Sequence, residues 1–160
     1  MTEELMALAE RAGALLKQRG ETIAVAESSS GGLICAALLG VSGASAYFIG
    51  GGVIYTAKAR AVLMDIPRAS VAGMRSASVP YALLLARTAR ERLSSTWGLS
   101  ETGAAGPTGN PYGDAAGHTC IAISGPADAA ITLETASADR IANMHAFSAA
   151  ALELLLKHLV

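Results

Sequence analysis

The stretch "ETIAVAESSSGGLICAALLGV", residues 21–41, changes its pattern twice, and those changes decide the fold class. Its first part is short, apolar and contains the β-branched Ile23 and Val25, which suits a buried strand. Ser28, Ser29, Ser30, Gly31 and Gly32 break that pattern as a turn would. The apolar run from Leu33 to Val41 has the length of a buried helix that starts at the hydroxyl cluster, and it is too short to span a bilayer of about 20 residues. Strand, turn and helix in this order are the repeating unit of an α/β domain.

The pattern extends in both directions. Upstream, residues 2–19 place Leu5, Leu8, Ala9, Ala12, Leu15 and Leu16 at helical spacing, with Thr2 as cap, acids in the first turn and bases in the last; Gly20 ends the helix. Downstream, "AYFIGGGVIYT" (46–56) reads as a strand whose three glycines suggest a bulge or a close backbone approach. "AKARAVLMDI" (57–66) reads as a short helix ended by Pro67. Residues 81–95 form a helix after Pro80, with Ser78 placed to accept from free amides at its start. "WGLSET", "GHTCIAIS" and "ITLETA" supply three more strands. Residues 138–159 close the chain as a helix with Asp139 near its cap and Ile141, Met144, Ser148, Leu152 and Leu155 on one face. The expected architecture is one domain over residues 1–160, a three-layer α/β/α sandwich around a mixed central sheet. Only "GAAGPTGNPYGDAAG" (103–117) interrupts the alternation, and its length and glycine content mark a functional loop.

Composition narrows the partners. With 160 residues, a formal net charge of -1 and 16% charged residues, the chain has no basic field to recruit a nucleic-acid backbone. A small-molecule or protein partner is expected, with no membrane association and a cytoplasmic location, since no cationic segment leads into an apolar one at the start. Cys35 and Cys120 lie in apolar runs and form no C-x-x-C pair, so buried, reduced thiols are expected. His118, His145 and His158 are scattered over a strand, a helix face and a helix end, which argues against a shared metal site. No cofactor is expected.

Spacing removes the nucleophile elbow, S-x-x-K, P-loop and H-E-x-x-H patterns. One serine is enough to cap a helix, an interaction worth about 1 kcal/mol. Three hydroxyls and two glycines exceed that need, and a glycine pair at a helix start lets a ligand approach bare amides at the positive end of the helix dipole. Cap and ligand site both remain open at this level. A second hydroxyl-plus-glycine turn, formed by Thr102, Gly103, Gly106, Thr108 and Gly109, follows a strand; it either presents amides to a phosphate or makes a turn that needs positive φ. Loops at strand ends of one sheet tend to share a crevice, so residues 26–32, 50–60 and 102–110 are expected to converge. Tyr55 ends the second strand, with Lys58 and Arg60 on the helix that follows. A tyrosine with a nearby cation could serve a serine nucleophile, or be a strand-end aromatic beside solvated charges.

Taken in order, "AESSSGG" (26–32), "GGGVIYTAKAR" (50–60), "ASVP" (77–80), "TGAAGPTGN" (102–110) and "GHTCIAIS" (117–124) resemble the fingerprint of the CinA C-terminal domain family. That domain also occurs alone as nicotinamide-nucleotide amidohydrolase. The resemblance covers essentially the whole chain. It implies metal-free hydrolysis of the carboxamide of nicotinamide mononucleotide to nicotinate mononucleotide and ammonia, with a serine nucleophile, in a homo-oligomer. The family's nucleophile falls on Ser28, its tyrosine on Tyr55, and the lysine that acts with the serine falls on Arg60. Ser29, Ser30, Gly31, Gly32, Lys58, Thr102, Gly103, Ala105, Gly106, Thr108 and Gly109 are the corresponding substrate-binding candidates, with Ser30 left to cap the helix or contact ligand. Arg60 is a departure, because arginine stays protonated and cannot act as a general base. Met144 is another, standing where an arginine is common in the family. The first leaves one alternative beside the hydrolase, a nucleotide-binding or regulatory module that lost the base; the changed residues at positions 29, 30, 60 and 110 leave another, an amidase for a different phosphorylated metabolite.

Overall fold

The computed structural model describes all residues, 1–160. Five strands form one sheet: β1 (Ile23–Glu27), β2 (Phe48–Val53), β3 (Trp97–Ala104), β4 (His118–Ser124) and β5 (Ala129–Glu134). Their spatial order is β2-β1-β3-β4-β5. β1 pairs in parallel with β2 and β3, whereas β4 runs antiparallel to both β3 and β5. The sheet is therefore mixed, as the sequence suggests. The register between β1 and β2 shifts at Ile23 and Ala24, where Ile49 is skipped, so the glycine-rich strand carries the irregularity its composition implies.

Helices cover both faces because β1 alternates two kinds of apolar side chain. Ile23 and Val25, with Trp97, Leu99, Ile121 and Ile123, pack under α1 (Glu3–Arg19), α2 (Leu33–Leu39) and α5 (Arg140–Leu159). Ala24 and Ala26 face α3 (Ala57–Met64) and α4 (Val79–Leu93). The first face takes branched and aromatic side chains, while the second is lined by small ones and lets α4 sit close to the sheet. Gly98 marks the closest approach: a Cβ there would lie 1.9 Å from the Ala86 carbonyl oxygen of α4.

Side-chain caps hold three of the five helices, α1 and α5 at the residues their sequences propose. Thr2 accepts from the Leu5 amide, Thr56 from Ala59 and Asp139 from Ala142. Gly20 closes α1 in the left-handed region at φ 64°. Ser78 differs: it sits at the cap position of α4, but its hydroxyl donates to the Arg75 carbonyl at 2.6 Å and caps nothing. That bond tightens the approach to α4 instead. Cys120 is buried and Cys35 half-buried, and both are free thiols. Burial pushes both thiols up, with Glu27 adding to the shift at Cys35.

The long loop between β3 and β4 is tied down at its base by Asp114 and His118. The Asp114 carboxylate accepts from Arg75 at 2.6 Å and from the Asn110 side-chain Nδ2 at 2.8 Å. His118 Nδ1 meets the Glu134 carboxylate, and Nε2 lies 2.8 Å from the Ala77 carbonyl. Both ring nitrogens face acceptors, so the arrangement is complete only with the imidazolium. Burial opposes that charge, but the bonds to Glu134 and Ala77 and the charges of Glu134 and Asp114 outweigh it and raise the imidazole above its ordinary value.

Two predictions follow from these contacts. Gly98→Ala meets backbone that cannot swing away, so urea unfolding should show a loss of about 3 kcal/mol or more; a midpoint equal to wild type contradicts the close approach of α4. Because the folded-state value of His118 is raised, its stabilisation is complete below about pH 6.5 and lost as pH rises through the raised value. Melting wild type and His118→Gln from pH 6 to pH 9 should show the gap between them closing toward alkaline pH. A constant gap means that His118 contributes packing alone.

Candidate active site

Two carboxylates, each at 0% exposure, organise the serine turn. Glu27 ends β1, and Glu101 lies in β3 one residue beyond the paired Ala26 and Ser100. Side chains alternate along β3: Ser100 donates to the Ala82 carbonyl and Thr102 accepts from the Ala77 amide, both toward α4, while Glu101 points to the opposite face. There Glu101 accepts from the Ser28 amide at 3.1 Å, the Ser30 amide at 2.9 Å, Ser29 Oγ at 2.5 Å and Thr119 Oγ1 at 2.8 Å. Glu27 accepts from Ser30 Oγ at 2.6 Å, the Ile34 amide at 3.2 Å and the Cys35 amide at 2.9 Å.

This arrangement corrects the sequence reading of the helix start. Gly32, not a serine, occupies the cap position of α2, and no side chain of a cap residue bonds there. The free amides are taken by Glu27 from below, because the chain turns tightly enough to bring the end of β1 under the helix. A ligand therefore does not find the bare helix N-terminus expected from the glycine pair. Neither carboxylate stood out as functional in the sequence, although each is an acid inside an apolar strand and such an acid needs donors.

The three serines have different fates. Ser29 and Ser30 give their hydroxyls to Glu101 and Glu27, whereas Ser28 Oγ makes no hydrogen bond within the protein and lines a crevice. That crevice has two halves that share Tyr55, Gly103, Asn110 and Pro111. One, about 340 Å³, is lined by Ser28, Tyr55, Arg60, Thr102 and Gly103. The other, about 250 Å³, is lined by Ser29, Ala105, Gly106, Thr108, Gly109 and Arg140. The three segments 26–32, 50–60 and 102–110 thus meet at one place. Ser30, Gly31, Gly32 and Lys58 line neither half. Ser30 is turned inward; Lys58 is exposed, two residues and about 200° around α3 from Arg60.

The cations are distributed differently from the expectation for Tyr55. Arg60 is buried, donates from Nε to the Ile66 carbonyl at 3.2 Å, and stacks its guanidinium 6.0 Å from the Tyr81 ring centre. The cation bonded to Tyr55 is Arg140, whose Nη2 donates to the phenol oxygen at 3.3 Å and whose Nη1 donates to the Gly106 carbonyl. Arg140 joins the site from the start of α5, a contact visible in the sequence only as the retained "ADR" (138–140). Gly106 has φ 107°, and a Cβ would lie 2.8 Å from the Ala138 carbonyl, so the loop passes α5 without a side chain. No group of three or more His, Cys, Asp or Glu side chains gathers in a metal-binding arrangement, and no helix is long and apolar enough to cross a membrane.

Removing the Glu101 carboxylate leaves four donors without their acceptor. Glu101→Ala should cost about 3 kcal/mol and unfix the serine turn. Thermal melting checks the first effect, and amide exchange at Ser28 and Ser30 the second; protection equal to wild type contradicts the role given to Glu101.

Comparison with known proteins agrees with this architecture. The model of the CinA C-terminal domain family matches residues 5–159. A CinA-like protein of Acaryochloris marina is 44% identical over 114 residues, covering 71% of this chain and 27% of that protein. One from Trichormus variabilis is 35% identical over 156 residues, covering 96% of this chain and 38% of its own length. The chain thus spans about a quarter to two fifths of these relatives. Among solved structures, the competence/damage inducible protein CihA from Agrobacterium tumefaciens superposes with a TM-score of 0.91 at 26% identity, over 98% of this chain and 96% of that one. A CinA superfamily protein from Escherichia coli gives 0.90 at 21% identity, over 99% and 93%, and shares the fold. With a family match over nearly its whole length and a crevice built from the family's motifs, this chain belongs to the CinA C-terminal domain family.

Proposed function

We propose that the domain is an amidohydrolase of the nicotinamide-nucleotide type, which cleaves the carboxamide of nicotinamide mononucleotide with Ser28 as nucleophile. One observation carries this reading: of three adjacent serines, only Ser28 keeps its hydroxyl free of protein partners, and that hydroxyl's residue lines the crevice with Tyr55. Ser28 Oγ attacks the carboxamide carbon and forms an ester to the enzyme as the carbon–nitrogen bond breaks. The serine proton passes to the Tyr55 oxygen while Tyr55 gives its own proton to the departing nitrogen, which leaves as ammonia. Water then hydrolyses the ester and releases the carboxylate. Arg140, which donates to the Tyr55 oxygen, leaves the phenol proton free for this relay. The oxyanion forms beside Gly103, which lines both halves of the crevice.

A second reading rests on Arg60. It stands where the family's lysine acts with the serine, it cannot accept a proton, and it is held by the Ile66 carbonyl and the Tyr81 ring. A domain that lost its base in this way would bind a nucleotide without turning it over.

Ammonia release from nicotinamide mononucleotide separates the two. Under the hydrolase reading, Ser28→Ala lowers kcat by about a thousandfold or more, whereas Ser30→Ala acts through stability. Tyr55→Phe lowers kcat by about a hundredfold or more with KM little changed, and Arg60→Lys preserves or raises the rate. Wild-type activity in Ser28→Ala removes that residue from the mechanism. Nucleotide binding without ammonia from the wild-type protein favours the binding module.

A further inference from the structure

The Ser28 half of the crevice is walled partly by Ser76 and Ala77, on the segment that leads into α4, and partly by Asn110, Pro111 and Tyr112 of the long loop. Arg75, Ser76 and Ala77 make no backbone–backbone hydrogen bond. Side chains hold them instead. Ala77 stands in the left-handed region at φ 53° without being glycine; its amide donates to Thr102 Oγ1 at 3.2 Å and its carbonyl lies 2.8 Å from His118 Nε2. Arg75 is tied to Asp114, which itself lies 3.6 Å from His118 Nε2. His118, only 5% exposed, is thus the buried group on which both walls converge.

The ring satisfies both of its acceptors only with two protons, and a neutral imidazole keeps one. The Glu134 carboxylate is the stronger acceptor, so that proton stays on Nδ1, and a bare Nε2 lone pair then faces the Ala77 carbonyl oxygen. Two acceptors so close repel. Ala77 is left with the Thr102 bond and a thiol contact from Cys120 at 3.5 Å to maintain an unfavourable backbone conformation. The charges around the ring favour its proton: Glu134 from β5, Asp114 from the loop and Arg75 beyond it are two carboxylates and one guanidinium, a set that the imidazolium makes neutral. Cys120, on β4 itself with Sγ 3.8 Å from Nε2, has its thiol pushed up by burial and is neutral. β3 pairs Ala104 with His118 and turns Glu101 to the opposite face, and residues 79–86 at the near end of α4 carry no charge. We propose that His118 is a positioning residue of the crevice: as the imidazolium it holds residues 75–77 in place as the wall beside Ser28, and loss of its proton releases that wall and weakens nucleotide binding. This role rests on the crevice being the nucleotide site, and it is independent of hydrolysis.

The test follows wild type, His118→Gln and Glu134→Gln from pH 6 to pH 9 by NMR titration of the imidazole, by amide protection at Ala77 relative to the intrinsic exchange rate, and by calorimetric affinity for nicotinamide mononucleotide. Wild-type affinity should fall about tenfold or more over this range. Its midpoint and the loss of Ala77 protection should coincide with the titration of His118. The ligand's own phosphate ionises at about pH 6, so the fall is read against His118→Gln, which shares that ionisation and should otherwise be flat. Glu134 is exposed, so Glu134→Gln should fold even if His118→Gln does not; it removes a carboxylate that favours the imidazolium and should move all three midpoints together to lower pH. Saturating nucleotide should in turn move the imidazole titration to higher pH. Equal affinity profiles in wild type and His118→Gln, Ala77 protection that ignores the titration of His118, or midpoints that stay fixed or separate in Glu134→Gln overturn the proposal. The full set of shifts without ammonia release removes only the hydrolase reading. A mononucleotide that binds at no pH, while Ala77 protection still follows His118, removes the nucleotide reading and leaves His118 as the group that holds the wall.

Discussion

The four hydrogen bonds received by Glu101 set the geometry on which the crevice depends. A carboxylate inside a sheet is costly unless its oxygens are filled, and here they are filled by the backbone of the serine turn and by hydroxyls on either side. The turn is thereby fastened to β3 as well as to β1, from which it emerges. Glu27 does the same for the first turn of α2. With Ser29 and Ser30 committed to these acids, Ser28 is the residue whose hydroxyl is left for the crevice. The selection among three chemically identical side chains is made by which of them the buried carboxylates occupy.

The charge around the crevice follows a similar logic. Arg140 reaches from α5 to the Gly106 carbonyl and the Tyr55 oxygen, and so connects the glycine loop to the end of β2. Arg60 is fastened from the other side, by the carbonyl of Ile66 and the face of Tyr81. Both guanidinium groups are positioned by neutral partners, so their charge is not cancelled locally. Two exposed arginines differ, for Arg75 and Arg87 are paired with Asp114 and Asp128.

Much of this was legible in the residues themselves. The strand–turn–helix unit, the caps at Thr2 and Asp139, the stop at Gly20 and the glycine irregularity of β2 depend on short-range chemistry. Hydrophobic period and capping preference operate within a few residues, so the sequence contains them completely. The resemblance of five ordered motifs supplied the family and the expectation that three segments meet.

Contacts that join distant residues were settled by tertiary structure. Nothing near Ser28 indicates that Glu101, 73 positions away, accepts from its amide, nor that Ser78 turns its hydroxyl away from the helix it begins. The cation beside Tyr55 is Arg140, 85 positions distant, and the nearer Arg60 is drawn to Tyr81 instead. The sequence by itself determined the layers, the order of elements and the residues available for chemistry, because periodicity and local propensity act along the chain. Which hydroxyl is free, which acid holds the turn and which cation serves which group were decided only by packing, because hydrogen bonds between strands and helices depend on separations in space that the order of residues does not encode.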